Sequence, residues 1–284
     1  MKKLLNKKAF LITAIIFVGF LFLYWQDNDI VITEFQYCNG KIPKEFDNFT
    51  IAQISDLHNK EFGAEQKYIL ERLESTSPDI IVITGDLIDR RNYDLKMAIT
   101  FVKKAVKLAP VYYVSGNHEV WSGKYDIIRN ELINSGVNVL DNKKVKLTKG
   151  GGSISLMGLK DPGFLDENHS EGTDTSAMET QLQKWSSQDG FKILLSHRPQ
   201  FMDLYKKCGM DMVFSGHTHG GQIRLPFIGA LIVPDQGVFP KYVSGKYHED
   251  NTDMFISRGL GTSLIPIRLF NRPQILTVTL KSVK

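Results

Sequence analysis

The sequence is organised around Ser215-Gly216-His217-Thr218-His219-Gly220-Gly221-Gln222. Two histidines one residue apart follow a short apolar run, Met212-Val213-Phe214, and enter a glycine-rich turn. Imidazole is the commonest protein ligand for metals, and glycines let backbone and side chains crowd around a small site. The stretch therefore predicts a metal-binding turn at the end of a strand, although by itself it also fits two surface or capping histidines.

Four other apolar runs end in residue types that bind metals. The candidate residues that follow them are Asp56 and His58, then Asp86, then Asn117 and His118, and finally His197. Helix-forming segments follow the first three runs, and repetition of strand, polar tip and helix is typical of βαβ units around a buried sheet. Because ligands bind beyond the carboxyl ends of such strands, we expect these residues to meet the two histidines of the glycine-rich turn.

Five of the seven histidines belong to this set of strand-end residues. Taken singly, an Asp, Asn or His at a strand end is an ordinary turn or polar residue. Taken together, chance is the poorer explanation for metal-ligand residue types at the ends of five separate strands. The two remaining histidines, His169 and His248, lie in polar stretches and are expected to be bystanders.

The order of these motifs resembles one protein family. Asp-x-His, Gly-Asp, Gly-Asn-His-Glu, a lone His after a strand and Gly-His-x-His together resemble the calcineurin-like metallophosphoesterases, over residues 50 to about 280. The residues around the motifs, in Gln53–His58 and Ser257–Gly261, are similar to those of the membrane-anchored or exported bacterial branch of that family. The resemblance implies an α/β fold in four layers, α/β/β/α, in which two mixed sheets pack face to face with a two-metal centre between them.

The resemblance also implies a role for each candidate residue. One metal ion would be held by Asp56, His58, Asp86 and His219, and the other by Asp86, Asn117, His197 and His217. Mixed nitrogen and oxygen ligands suit Mn²⁺, Fe or Zn²⁺, and the sequence does not choose among them. Two such cations clamp a phosphoryl oxygen and activate a bridging water for attack on phosphorus, while His118 stays off the metals and stabilises or protonates the leaving oxygen.

Three neighbouring residues have open interpretations. Glu119 either orients His118 or serves as a capping or surface residue. Arg198 and Arg258 either contact substrate phosphate or form ordinary surface pairs. No substrate-binding residue is assigned.

The N-terminus carries a separate signal. Lys2, Lys3, Lys7 and Lys8 precede 17 uncharged residues, Ala9 to Trp25, which as a helix would reach about 26 Å, close to the roughly 30 Å of a bilayer core. Lysines before the span place the N-terminus in the cytoplasm, and the final aromatic pair fits an interfacial anchor. We predict a single-pass membrane anchor, with a cleaved signal peptide and a buried core helix as alternatives.

We expect three parts: a basic tip and anchor at 1–25, an extended lead-in at 26–49 and the catalytic domain at 50–284. Within the domain, Lys144–Leu147 and Ser153–Leu159 predict a hairpin, and Asp166–Thr175 predicts a surface loop. The net charge of +4 comes partly from the terminal lysines, so no nucleic-acid partner is expected. The two cysteines, Cys38 and Cys208, fit either a disulfide or two free thiols.

The sequence as a whole predicts a membrane-anchored, two-metal phosphoesterase that hydrolyses phosphodiester or phosphomonoester bonds. We expect its substrate to be extracytoplasmic and either lipid-linked or derived from the cell wall. The apolar stretches Leu225–Val233 and Leu264–Phe270 would form a lipid-facing rim or pack in the core. The alternatives are a cytoplasm-facing pyrophosphatase or phosphodiesterase of lipid metabolism and a non-catalytic scaffold on the same fold.

Overall fold

The computed structural model describes residues 2–165, 174–221, 223–225, 229–230, 232–233, 237–238, 240–262 and 266–283. Its strands are β1 Val31–Asn39, β2 Thr50–Ile54, β3 Ile80–Thr84, β4 Val111–Val114, β5 Asn138–Val139, β6 Lys143–Lys149, β7 Gly152–Gly158, β8 Lys192–Leu195, β9 Met212–Ser215, β10 Arg224–Leu225, β11 Gly229–Ala230, β12 Ile232–Val233, β13 Gly237–Val238, β14 Gly245–Glu249, β15 Thr252–Ile256 and β16 Gln274–Ser282. Its α-helices are α1 Lys2–Asn28, α2 Lys67–Ser75, α3 Lys96–Ala105, α4 Asn117–Trp121, α5 Tyr125–Asn134, α6 Ser176–Ser186 and α7 Met202–Lys207.

Two six-stranded mixed sheets form the centre of the molecule. The first has the order β1-β16-β2-β3-β4-β5, with β2 to β5 parallel and β16 antiparallel to β2. The second has the order β14-β15-β9-β8-β7-β6, in which the four inner strands are parallel and both edge strands are antiparallel. The pairing of β6 with β7 confirms the predicted hairpin.

Side-chain alternation along the strands explains why the sheets stack. In β3, Ile80 and Val82 belong to the core between the two sheets, whereas Ile81 and Ile83 belong to the core under α2, α3 and α5. Successive side chains of a strand point to opposite faces, so an unbroken apolar run is what a strand covered on both sides requires. The outer face of the second sheet packs in the same way on α6 and α7. The predicted four-layer α/β/β/α fold is confirmed.

The stretch predicted as an extended lead-in contributes to the first sheet. Strand β1 pairs in parallel with β16 along its whole length. Tyr37 and Phe46 are buried in the core between the sheets. Cys38 in this strand is exposed, whereas Cys208 is buried, and both thiols are free.

Helix α1 leads directly into this strand and ends against the domain. Within the described residues one helical segment, Lys7–Asn28, is long and apolar enough to cross a membrane, with a mean hydropathy of 2.1. The ring of Phe22 lies 5.8 Å from that of Phe270, and the guanidinium of Arg272 lies 4.7 Å from the ring of Trp25. The Asp27 carboxylate accepts a hydrogen bond from the backbone of the loop before β16.

Several predicted features lie outside the described residues. These are 166–173 of the predicted surface loop, including His169, and 226–228, 231 and 264–265 of the two apolar stretches. From the second stretch, Ile267 and Phe270 are described, and both are exposed.

Candidate metal centre

The candidate ligands lie at the carboxyl ends of five parallel strands, as the sequence predicts. Strands β2, β3 and β4 of the first sheet are followed by Asp56 and His58, by Asp86, and by Asn117 and His118; strands β8 and β9 of the second sheet are followed by His197 and by His217 and His219. All eight side chains are buried. The stacking of the two sheets brings both sets of strand ends together.

The turns that carry these residues adopt an unusual backbone conformation. Five non-glycine residues of the set have φ between 47° and 73°: Asp56, His58, Asp86, His217 and His219. Such left-handed conformations are uncommon for residues with a Cβ and cost on the order of 1–3 kcal/mol each in unfavourable cases. Their concentration in one place is typical of a functional site, where the surrounding structure maintains the strain.

One cluster of ligating atoms lies on the side of the first sheet. Nε2 of His58 is 3.1 Å from Nε2 of His219 and 3.6 Å from Oδ2 of Asp86. Oδ1 of Asp56 is 3.5 Å from Nε2 of His219. Ligating atoms of all four residues lie within 4.8 Å of one another.

A second cluster shares Asp86 with the first. Nε2 of His197 is 3.3 Å from Oδ2 of Asp86, 3.0 Å from Oδ1 of Asn117 and 3.2 Å from Nδ1 of His217. The Nδ1 atom of His197 donates to the carbonyl of Thr84 at 2.6 Å. This bond fixes the tautomer and leaves Nε2 free to face the cluster.

These residues fit divalent cations. A metal–nitrogen bond of about 2.1 Å places neighbouring ligand atoms roughly 3 to 3.5 Å apart, which is the spacing in both clusters. Burial and the nearby His118 lower the pKa of His58 to about 3, so its imidazole is neutral, the form that binds metals. Burial raises the pKa of Asp86, but His197 and His118 outweigh burial and lower it, so this carboxylate is ionised. Two buried carboxylates need compensating positive charge, which cations would supply.

His118 lies beside the first cluster. Its ring centroid is 4.4 Å from that of His58, and its backbone N–H donates to Oδ1 of Asp86 at 2.8 Å. Its Nδ1 accepts from the backbone N–H of Arg90 at 3.2 Å and lies 3.5 Å from Oδ1 of Asp89. Although burial lowers it, Asp86 and Asp89 raise the pKa of His118 above its ordinary value. When His118 is neutral, its Nδ1 accepts from the backbone N–H of Arg90. When His118 is protonated, its Nδ1–H can donate to the carboxylate of Asp89.

Glu119 stabilises the turns that present Asp86 and Asn117. Its buried carboxylate accepts backbone N–H groups of Asp86 at 2.8 Å, Leu87 at 2.7 Å, Ile88 at 3.2 Å and Gly116 at 2.8 Å. Burial and Asp86 raise the pKa of Glu119 to about 7, while these donors favour the ionised form. The capping interpretation of Glu119 is confirmed, because its carboxylate accepts the N–H of Gly116 at the start of α4, and the surface interpretation is wrong. Asp89, not Glu119, has the carboxylate that faces the ring of His118.

Neither interpretation of Arg198 was correct. The side chain is fully buried, and its guanidinium forms a bidentate ion pair with Asp161, at 2.9 Å for Nε to Oδ2 and 3.2 Å for Nη2 to Oδ1. A pair this deep is neither a surface contact nor directed at substrate phosphate.

The comparison with known families agrees with this geometry. The profile of the calcineurin-like phosphoesterase family matches residues 49–221. The chain belongs to the calcineurin-like phosphoesterase family. With its clusters of buried ligands, this member is a metal-dependent phosphoesterase of the two-metal type, and the identity of its two divalent metals is not determined.

Two relatives and one solved structure illustrate the similarity. The chain is 31% identical over 263 residues to the uncharacterised metallophosphoesterase YkuE of Bacillus subtilis, covering 91% of this chain and 88% of the relative. It is 26% identical over 283 residues to the "Transmembrane protein with metallophosphoesterase domain" of Danio rerio, covering 96% of this chain and 62% of the relative. A dimetal phosphatase structure from Danio rerio has the same fold, with a TM-score of 0.50 and 13% identity, covering 82% of this chain and 99% of that chain.

In this calcineurin-like phosphoesterase, sequence reasoning missed Asp89. The signal was available in Gly85-Asp86-Leu87-Ile88-Asp89, where a second carboxylate follows the candidate ligand by three residues. His248, predicted to be a bystander, lies on the exposed edge strand β14 and pairs with Asp253 at 3.3 Å.

Proposed function

We propose that the two clusters hold two metal ions bridged by Asp86, and that the centre hydrolyses a phosphate ester. One ion would be bound by Asp56, His58, Asp86 and His219, and the other by Asp86, Asn117, His197 and His217. The observation that carries this assignment is the shared carboxylate: Oδ2 of Asp86 lies 3.6 Å from Nε2 of His58 and 3.3 Å from Nε2 of His197.

The chain's own residues complete the chemistry. When bound, two divalent cations supply Lewis-acid polarisation of a phosphoryl oxygen and activation of a water molecule. His118 lies at the edge of the first cluster with a raised pKa, so it is placed to hold a proton and give it to the departing oxygen. Asp89 would stabilise the protonated imidazole, and Glu119 would keep the Asp86 turn in place.

The experiment that tests this function combines metal content and hydrolysis in one preparation. The full chain is purified in detergent, its Mn, Fe and Zn are quantified per chain, and bis-p-nitrophenyl phosphate and p-nitrophenyl phosphate are assayed before and after chelation. We expect about two metals per chain and chelator-sensitive hydrolysis of at least one substrate. A chain that binds no metal after reloading would refute the proposal.

His118→Ala separates the proton-transfer role from ligand binding. We expect turnover to fall by about 10²–10⁴-fold while both metals stay bound. Loss of a metal from this variant would show that His118 is a ligand and that the assignment above is wrong.

We further propose that the enzyme is anchored by α1 with its catalytic domain outside the cytoplasm, where it acts on a lipid-linked or wall-derived phosphate ester. Four lysines before the apolar segment support this orientation. The contact of Phe22 with Phe270 supports a substrate at the membrane, since Phe22 lies within the apolar segment and Phe270, half exposed, belongs to the loop before β16.

Protease accessibility tests the orientation. Added protease should degrade the domain on intact spheroplasts if it faces outward, and should do so only after lysis if it faces the cytoplasm. The second result would favour the cytoplasm-facing enzyme of lipid metabolism over the outward-facing one.

A further inference from the structure

Arg258 lies between the two turns that carry the ligands of the first cluster. It follows strand β15, and a Cβ added at Gly220, beside His219, would lie 2.8 Å from its Cγ. A Cβ added at the next residue, Gly259, would lie 2.7 Å from the Cβ of Asp56. The stem of Arg258 therefore packs against Gly220, the residue after the proposed ligand His219, and the next residue, Gly259, packs against Asp56.

The guanidinium of Arg258 forms no ion pair with any residue that the structure describes. Within the described part of the chain no carboxylate pairs with it, and its buried Nε has no hydrogen-bond partner. Burial, then Arg224 and Arg272, lower the pKa of Arg258 to about 10, which leaves it cationic at neutral pH. A half-buried cation among other cations is unfavourable unless an anion joins it.

Arg198 and Arg268, which are fully buried, differ from the half-buried Arg258 because their donors are used within the fold. Arg198 pairs with Asp161 through two bonds. Arg268 donates to the carbonyls of Gly261, Asn271 and Arg258. Of these three guanidiniums, that of Arg258 is the one with a buried donor, Nε, that no described residue occupies.

We propose that Arg258 binds a second, uncleaved phosphate of the substrate, so that the substrate class is a diphosphate rather than an ester with a single phosphate. This inference rests on the proposed hydrolytic centre beside it. The planar guanidinium matches two phosphate oxygens at once. Arg224, whose Nη1 is held by the Gly220 carbonyl at 3.1 Å and by Oγ of Ser244 at 3.0 Å, adds positive charge behind the same position.

The location of Arg258 also indicates where the rest of the substrate extends. The backbone carbonyl of Arg258 accepts from Nη2 of Arg268, whose backbone N–H donates to Asp27 at the end of α1. A phosphate bound by Arg258 would therefore lie toward the end of α1, and the group attached to it would point toward the membrane.

Binding of two non-hydrolysable probes tests the inference. Full-length protein in detergent with saturating Mn²⁺ is titrated calorimetrically with methylenediphosphonate and with methylphosphonate. Hydrogen bonds to a charged group are worth roughly tenfold to a hundredfold in affinity, so the wild type should prefer the diphosphonate by about that factor. Arg258→Gln should remove most of this preference and change methylphosphonate affinity by less than about twofold.

Matched variants keep the test decisive. Arg129→Gln on α5, an arginine that forms no ion pair among the described residues, should leave the preference unchanged. If Arg258→Gln unfolds or loses metal, Arg258→Lys is used instead, because it retains the positive charge but lacks the planar guanidinium. This variant should reduce the preference for the diphosphonate at least about threefold. An unchanged preference in a folded, metal-loaded Arg258 variant would overturn the inference.

The outcome is separable from that of the proposed function. A wild type that binds the diphosphonate through Arg258 but hydrolyses no phosphate ester would refute the hydrolytic function and retain the second phosphate site. An active enzyme whose preference does not depend on Arg258 would refute the second phosphate site alone.

Discussion

Asp86 is the residue that joins the two ligand clusters. Its side chain is almost completely buried, Oδ2 faces both clusters, and Oδ1 accepts the backbone N–H of His118 at 2.8 Å. A carboxylate has two oxygens that can each accept or ligate, which an amide cannot reproduce with the same charge. Removal of this side chain is therefore expected to weaken metal binding in both clusters.

Asp86→Ala tests that dependence. We expect metal content to fall well below two per chain and hydrolysis to drop by about 10³-fold or more, since several kcal/mol of transition-state stabilisation would be lost. The measurement is metal analysis and turnover on the same sample. Asp126→Ala, an exposed carboxylate on α5, is the matched control and should change neither quantity. Retention of most of the wild-type rate would contradict the two-metal assignment.

Asp89 is expected to set the pH dependence of turnover. Burial lowers the pKa of His118, but Asp86 and Asp89 raise it above its ordinary value. A group that acts as an acid must be protonated, so activity should fall as the pH rises through this raised pKa. In Asp89→Asn one of the two carboxylates is gone, and the falling limb of the kcat profile should move to lower pH. A limb that stays in place would exclude His118 as the acid or Asp89 as its partner.

Residue types at strand ends were enough to predict that eight side chains would converge, because their positions follow from the direction of parallel strands. The roles of Glu119 and Arg198 were not predictable in this way. Each has partners from another element: Glu119 binds backbone after β3, and Arg198 binds Asp161 after β7. Such pairs depend on packing, which local sequence does not encode.

At the scale of elements, close approach of the turns is what positions the ligands. A Cβ added at Gly116 would lie 2.2 Å from Oδ1 and 2.7 Å from the backbone nitrogen of Asp86. The turn after β4 can therefore reach the turn after β3 because it begins with glycine. The Gly-Asp motif after β3 and the Gly-Asn-His-Glu motif after β4 therefore pack directly against each other.

Gly116→Ala should disrupt this contact. We expect the variant to lose metal and to be destabilised by about 1–3 kcal/mol, the usual cost of overpacking. Gly40→Ala is the control, since a Cβ there would have nothing within 4 Å and the φ at that position is not positive. Denaturant unfolding and metal analysis provide the two readouts. Normal metal content in Gly116→Ala would show that the turns can separate without loss of the site.

Element prediction succeeded where the signal was local. Helix α5, Tyr125–Asn134, is the helix-forming segment expected after the third strand-like run, and the pairing of β6 with β7 is the predicted hairpin. The pairing of β1 with β16 was not predicted, because the two strands are far apart in sequence and neither contains information about the other. The boundaries of the three predicted parts stay a prediction.

At the scale of the whole molecule, the loop between β15 and β16, described at 257–262 and 266–273, contacts both the metal centre and the end of α1. Arg268 in this loop donates to carbonyls of Gly261 and Arg258 beside the centre, and its backbone N–H donates to Asp27 at the end of α1 at 2.7 Å. Displacement of the helix end would be transmitted to the wall of the site. This arrangement suits a substrate that is presented at a membrane surface.

Phe270→Asp tests the membrane-facing role of this loop. In liposomes, the charge should reduce turnover of a lipid-linked diphosphate while leaving that of soluble bis-p-nitrophenyl phosphate within about twofold, because burying a charge in the interface is costly. Ile127→Asp, at another exposed apolar position on α5, is the matched control. Equal loss on both substrates would indicate damage to the centre rather than to membrane contact.

The position of β16 in the first sheet has a consequence for biosynthesis. This strand lies between β1 and β2, so the two earliest strands contact each other only through one of the last to be made. At 5–20 residues per second, the ribosome needs on the order of 10 to 50 s to pass from the end of β1 to the start of β16. Throughout that interval β1 has no partner strand, and the edge of β2 that will pair with β16 is uncovered. Protection of those strands until synthesis is nearly complete is therefore a requirement for folding, and one that chaperones would have to meet in the cell.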